Sequence, residues 1–110
     1  MPLITLEDAK QYLRVDSTDE DTLIGTLVQS AGRLCADVAR LSKEKWMLIN
    51  GEVSDQEVYT EAEVQAMQET MKVAVLYAIG YLYEHRDEAD HHDLVLTLRC
   101  LLFALREGVL

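Results

Sequence analysis

Residues 81 to 92 read YLYEHRDEADHH, and Glu84, His85, Arg86, Asp87, Asp90, His91 and His92 crowd imidazoles, carboxylates and a guanidinium into this one stretch. Such groups can exchange protons near neutral pH or hold a divalent metal. Acid–base chemistry would pair His85 with Glu84 or Asp87, but neighbours in sequence point to different sides of a helix. The chain shows no Ser-His-Asp order, nucleophile elbow, phosphate-cradling glycine loop or HExxH. No second constellation supports the first, so an enzymatic role is not expected.

His85, Asp87, Asp90, His91 and His92 are all capable metal ligands, and His85 and His92 would be two turns apart if one helix ran through them. Structural zinc usually takes paired ligands from two separated places, and this chain offers a single group. Asp90 or Asp93 serves better as the N-cap of a following helix. The acidic run from Asp16 to Asp21 invites comparison with a calcium loop. It lacks the turn glycine and the distal glutamate such a loop needs. Ser17 with Glu20 reads instead as a capping box, with the acids favoured by the helix dipole. No metal and no cofactor is expected.

A structural role accounts for more of the cluster. Tyr77, Tyr81 and His85 recur every four residues and form one strip of apolar bodies with polar tips. Arg86 sits where a helix C-terminus favours a cation, and it can pair with an acid of a neighbouring helix. Tyrosine, histidine and arginine are typical of partly wet contacts. The segment therefore reads as a helix end used in packing and assembly.

The elements that would position this strip follow from periodicity and punctuation. The chain has 110 residues, one proline and five glycines, which predicts a single all-α domain over residues 1–110. The expected architecture is a small bundle of about four helices, two of them long and antiparallel. The first helix starts at Thr5, where Thr5–Asp8 has capping-box form, and runs to about Arg14 with Leu6, Ala9 and Leu13 facing a core and Tyr12 beside them. The second spans about 18 to 41. Leu23, Leu27, Leu34, Val38 and Leu41 make its apolar stripe, widened by Ile24, Ala31 and Cys35. Between residues 42 and 59 the period breaks. Asn50-Gly51 between apolar residues predicts a short hairpin or ordered loop, pinned to the body by Trp46.

The third helix runs from about Thr60 to Arg86. It is amphipathic through Val64, Met67 and Met71, then apolar all round from Val73 to Tyr83, so another subunit is expected to supply part of its cover. The fourth runs from about Asp93 to Arg106. Leu94, Leu98, Leu101, Leu102 and Leu105 lie on one face, and Leu96, Arg99, Phe103 and Arg106 form a second stripe opposite them. A phenylalanine facing outward between two arginines predicts a contact surface. The candidate assembly interface is thus Tyr77, Tyr81, His85, Arg86, Leu96, Arg99, Phe103 and Arg106.

A net charge of −10 with no basic stripe argues against a domain that grips DNA. Cys35 and Cys100 fall within helical patterns and read as reduced thiols. The N-terminus lacks the basic and apolar regions of a signal peptide, and the longest apolar run is short of the ~20 residues a membrane span needs. A soluble intracellular protein with no membrane partner is expected.

Two segments together resemble a known family. ITLEDAKQYLRVDSTDEDTLIGTLVQSAGRLCADVA, residues 4 to 39, is similar to the opening of the phage gp6-like head–tail connector proteins, where an ITLEEAKxYLRID helix and an acidic turn precede a long helix. VAVLYAIGYLYEHRDEA, residues 73 to 89, resembles their second hallmark, an apolar helix closing on a Tyr-Glu-Asn/His-Arg segment. The insert from Trp46 to Val58 and the His91-His92 pair depart from that pattern.

The resemblance implies a helical subunit of a homo-oligomeric ring, dodecameric by family precedent, docked below the portal protein of a tailed phage. Such a ring extends the DNA channel, lets DNA pass without specific binding, and offers a platform for a downstream neck or tail-completion protein. It implies no catalytic residues. Tyr81, Tyr83, Glu84, His85 and Arg86 would serve fold and assembly, first in the host cytoplasm and then in the virion neck. A small acidic helical regulator, binding one partner by imitating DNA's charge, is the competing reading. It needs one acidic face and no self-association, whereas a ring needs two complementary patches.

Overall fold

The computed structural model describes residues 2–52, 59–87 and 90–105. Helix α1 spans Leu6–Leu13, α2 Asp21–Val38, α3 Lys43–Ile49, α4 Glu61–Glu84 and α5 His92–Leu101, with a 3-10 turn at Phe103–Leu105. The class is all-helical, with no strand among the described residues.

Two helix starts form as their sequences dictate. Asp8 N–H donates to Thr5 Oγ1 at 3.1 Å and Thr5 N–H to Asp8 Oδ2 at 3.0 Å. Thr60 and Glu63 repeat this reciprocal box at α4, with both bonds near 3 Å. Each box satisfies two otherwise orphaned amides from within four residues of chain. The box expected at Ser17 and Glu20 does not form. Glu20 is the N-cap of α2, yet its side chain makes no capping bond. That carboxylate is drawn instead to α4, a tertiary competition that local sequence does not record.

The expected hairpin at 48–53 is also corrected over its described part. Ser42 caps α3 by accepting from the Lys45 amide at 3.2 Å, and Leu48 and Ile49 are helical and buried. Asn50-Gly51 ends this helix rather than turning two strands. Gly51 has φ 79°, its N–H donates to Leu48 O at 3.2 Å, and Glu52 N–H donates to Met47 O at 2.9 Å. This is a Schellman closure, which asks for the same positive-φ glycine that a tight hairpin does. The second half of the predicted insert, 53–58, lies outside the described residues.

Helices α2 and α4 form the main packing pair. They run antiparallel, since Glu20 at the start of α2 meets Tyr83 at the end of α4. Small residues on both helices, Ala31 and Cys35 of α2 and Ala74 and Ala78 of α4, are fully buried and permit close approach. Ile24, Met71, Val75 and Ile79 fill the remaining space. Each of the larger ones removes apolar surface worth roughly 1.5–3 kcal/mol. The buried line of α2 centres on Ile24, Ala31 and Cys35, with Leu34 and Val38 only partly covered beside it. That is a rotation from the expected leucine stripe. Trp46 does pin α3 to the body, its ring lying over Gly32 of α2.

On α5, Leu94, Leu98 and Leu102 are fully buried and Leu105 nearly so, as the leucine spacing predicts. The helix ends at Leu101. Its N-cap is His91, not Asp90 or Asp93 as expected. Asp93 is already in the first turn, and Asp90 lies one residue too early and closes a local turn, its Oδ1 accepting the His92 N–H at 2.9 Å. The molecule's shortest dimension is 18 Å. Helices pack 8–10 Å apart, so this thickness holds about two layers. A helix apolar on all sides, like the second half of α4, therefore keeps one side open within a single chain.

Candidate assembly surface

The open side of α4 carries Val73 and Tyr77, which are 59% and 39% exposed. They lie one turn apart, and Gly80 continues the same face. Tyr12 of α1, 49% exposed, lays its ring over Gly80, where a Cβ would stand 3.1 Å from Tyr12 Cε2. Val73, Tyr77 and Tyr12 thus form one apolar strip across two helices. The sequence named Tyr77 as a contact residue and placed Val73 in a segment needing outside cover, but it did not join Tyr12 to them. The missed signal was Gly80, a glycine inside a helix, which costs about 1 kcal/mol relative to alanine and marks a place where something packs closely.

At the end of α4, Tyr81, His85 and His91 come together. Tyr81 and His85 stack with ring centroids 4.1 Å apart, and His91 meets Tyr81 edge-on at 5.9 Å. His85 Nδ1 lies 2.9 Å from Tyr81 O. The Nδ1 of His91 is buried and takes no hydrogen bond among the described residues. His92 points to solvent. Among the described residues no three His, Cys, Asp or Glu side chains converge on a point where a metal would sit.

Arg86 turns toward the body. Its Nη1 is 3.4 Å from Tyr83 O and 3.6 Å from Glu20 Oε2, and its guanidinium carbon lies 5.3 Å from the Tyr83 ring centre. Tyr83 in turn donates its hydroxyl to Glu20 Oε1 at 2.5 Å. The hydrogen bond to Glu20, then burial and the Glu20 charge, raise the Tyr83 pKa above that of a free tyrosine, against an opposing pull from Arg86. A second ion pair, Lys10 Nζ to Asp21 Oδ1 at 2.8 Å, ties α1 to the start of α2. The bond to Asp21 outweighs burial and raises the Lys10 pKa. The acidic turn thus spends its last two carboxylates on holding helices together. Lys10 and Tyr83 were not expected as partners, because both lie on other elements, whereas Arg86 was expected to pair with an acid of a neighbouring helix and does so with Glu20.

The second stripe sits on α5 and the 3-10 turn that follows it. Leu96 is 45% and Phe103 62% exposed, and Arg99 is exposed one turn from each. Arg106, the fourth residue expected here, lies outside the described residues. The structure therefore separates the candidate set into three groups: Tyr77 on the α4–α1 strip, Tyr81, His85 and Arg86 at the helix end, and Leu96, Arg99 and Phe103 on α5.

One large concavity lies elsewhere. An open cleft of about 1500 Å³ runs between the N-terminal segment, α2 and α3. Leu3 N–H donates to Asn50 Oδ1 at 3.0 Å along one wall, and Gly25, Gly32 and Trp46 form part of the lining. No histidine or cysteine lines it. Cys35 is buried at the α2–α4 contact, where burial pushes its thiol up to about 12. No helix among the described residues is long and apolar enough to cross a membrane.

Comparison with known proteins adds one finding. The model of one family, described as phage gp6-like head-tail connector protein, matches residues 3–99. No curated protein and no solved structure matches the chain.

Proposed function

Because the chain belongs to the phage gp6-like head–tail connector family, we propose that it is a ring-forming adaptor of the virion neck. The ring docks below the portal protein, prolongs the DNA channel and presents a platform to the next neck or tail protein. The family supports the coarser part of this reading, a structural phage protein that oligomerises and contacts other head and tail proteins. The ring and its docking are the finer part.

The observation that carries the finer part is the exposure of Val73, Tyr77, Leu96 and Phe103 on a chain whose core is already filled by Ile24, Met71, Ile79, Leu94 and Leu98. Large apolar side chains left outside a complete core favour burial against another chain. The net charge of −10 suits a wall that DNA slides past, since a basic wall would hold the phosphates. Assembly takes place in the host cytoplasm and the product ends in the virion neck.

The test is the solution mass of the purified protein across concentration, with and without a chelator. A discrete oligomer unaffected by chelator is expected. A protein that stays monomeric throughout refutes a ring driven by the chain's own contacts, and an oligomer that dissolves with chelator returns the histidine cluster to consideration as a metal site.

A further inference from the structure

We infer that the subunit contact in the ring is head-to-tail, with the α5 face of one copy, Leu96, Arg99 and Phe103, seated on the α4–α1 strip of the next, Tyr12, Val73 and Tyr77. The inference rests on the ring reading and adds which surfaces meet. Both patches are apolar at the centre and exposed, but they differ in the charge around them. On the strip, Glu69 stands one turn before Val73, Glu84 one turn beyond Gly80, and Asp8 one turn before Tyr12, all exposed. On α5, Arg99 stands three residues after Leu96 and four before Phe103, beside both.

Charge decides between the possible pairings. A symmetric contact of strip with strip would set the acids Glu69, Glu84 and Asp8 of one copy beside the same acids of the other, and α5 with α5 would bring two Arg99 side chains into one interface. Like charges brought together across an interface disfavour that pairing. Strip against α5 face puts one cation among three acids around a shared apolar centre rich in aromatic rings, the composition that interface centres favour. Two different patches meeting in this way leave each subunit with one of each still free. Such a contact repeats and closes into a ring when the rotation allows. Tyr81, His85 and Arg86 have a different part in this arrangement. Their contacts run to His91, to backbone carbonyls and to Glu20, so they brace the helix end that carries the strip.

Two variants test the pairing, Val73→Arg on the strip and Phe103→Glu on α5. Both sites are open to solvent, and circular dichroism with thermal melting checks that each variant is folded. Each variant alone is expected to associate on the order of thirtyfold more weakly than the unsubstituted protein and to run at the 12.5 kDa monomer mass. An equal mixture is expected to regain association, because the intact α5 face of the first variant meets the intact strip of the second, and the exchanged charges attract across the other contact. Either folded variant assembling alone as the unsubstituted protein does overturns the inference, since a symmetric contact leaves one variant competent. Folded variants that remain monomeric when mixed also overturn it. If either variant loses helicity, Tyr77→Arg and Leu96→Glu report on the same two faces. An unsubstituted protein that is monomeric at every concentration refutes a ring driven by the chain's own contacts, which is a different result from a ring whose variants behave otherwise than stated.

Discussion

Replacing the helical glycines of α2 and α4 by alanine, one at a time, measures how tightly the bundle is held at three places. In a helix interior Gly→Ala is worth about 1 kcal/mol in favour of the fold when nothing opposes the new methyl group. At Gly25 a Cβ meets nothing within 4 Å, so the full gain is expected. At Gly32 the Cβ would stand 3.3 Å from Trp46 Cζ2 and 3.4 Å from Cη2, so the indole must move by a few tenths of an ångström. That ring is partly buried and joins α3 to the core. Overpacking of this kind costs roughly 1–3 kcal/mol, so Gly32→Ala is expected to come out near neutral or destabilised by up to about 2 kcal/mol.

Gly80→Ala is intermediate. Its Cβ would approach Tyr12 Cε2 to 3.1 Å, but the tyrosine is half exposed and can swing away. The three variants should therefore rank Gly25→Ala most stable, then Gly80→Ala, then Gly32→Ala. A 1 kcal/mol difference corresponds to a shift in melting temperature of roughly 4–8 °C for a domain of about this size. Melting followed by circular dichroism resolves the order. Gly32→Ala melting as high as Gly25→Ala would falsify the claim that Trp46 is held against α2. The double variant with Trp46→Ala supplies the check, since without the indole the methyl at residue 32 should regain its helical gain.

Three further outcomes are expected. Arg14 and Arg40 sit at φ 61° and 58°, where a side chain costs roughly 1–2 kcal/mol, so Arg14→Gly and Arg40→Gly should each raise stability in urea by about 0.5–1 kcal/mol after the glycine's greater unfolded freedom is counted. Lys10 and Tyr83 have folded pKa values raised by Asp21 and Glu20. Their folded states hold protons longer than the unfolded chain, so the stability they contribute is complete below about pH 10 and declines as pH rises through the alkaline range. Tyr83→Phe should flatten that decline in an unfolding series, and an unchanged slope argues against the Glu20 bond. Finally, Cys100 is exposed while the Cys35 thiol is buried and pushed up to about 12. A disulfide reagent at pH 8 should thus titrate one thiol in the native protein and the second only on unfolding. Two thiols reacting at once would show that the α2–α4 seam opens readily.

Much of the fold is legible in the chain because the interactions that build it are local. Thr5 with Asp8 and Thr60 with Glu63 need only three residues of separation to close their boxes. The leucines of α5 announce its buried side through spacing alone. The candidate surface was legible in part for the same reason. A helix that places Leu98 inward has to place Leu96 outward whatever the neighbours do, while Phe103 is exposed on the 3-10 turn that follows the helix.

The sequence by itself determined the helical class, two of the helix starts, the leucine face of α5 and the family pattern that a model matching residues 3–99 bears out. Only the tertiary structure decided the rest, wherever one residue had two local uses and a distant partner chose between them. Glu20 would suit a capping box with Ser17, but the Tyr83 hydroxyl 63 residues away takes its carboxylate. Asn50-Gly51 would suit a hairpin equally well. It closes a helix because Trp46 packs on Gly32, because Gln68 Nε2 donates to Ile49 O at 3.1 Å, and because Asn50 Oδ1 accepts the Leu3 amide. The apolar half of α4 is likewise silent about which side stays open. That depends on α1, α2 and α5 covering the rest of it, and a 3.6-residue repeat carries no record of its neighbours.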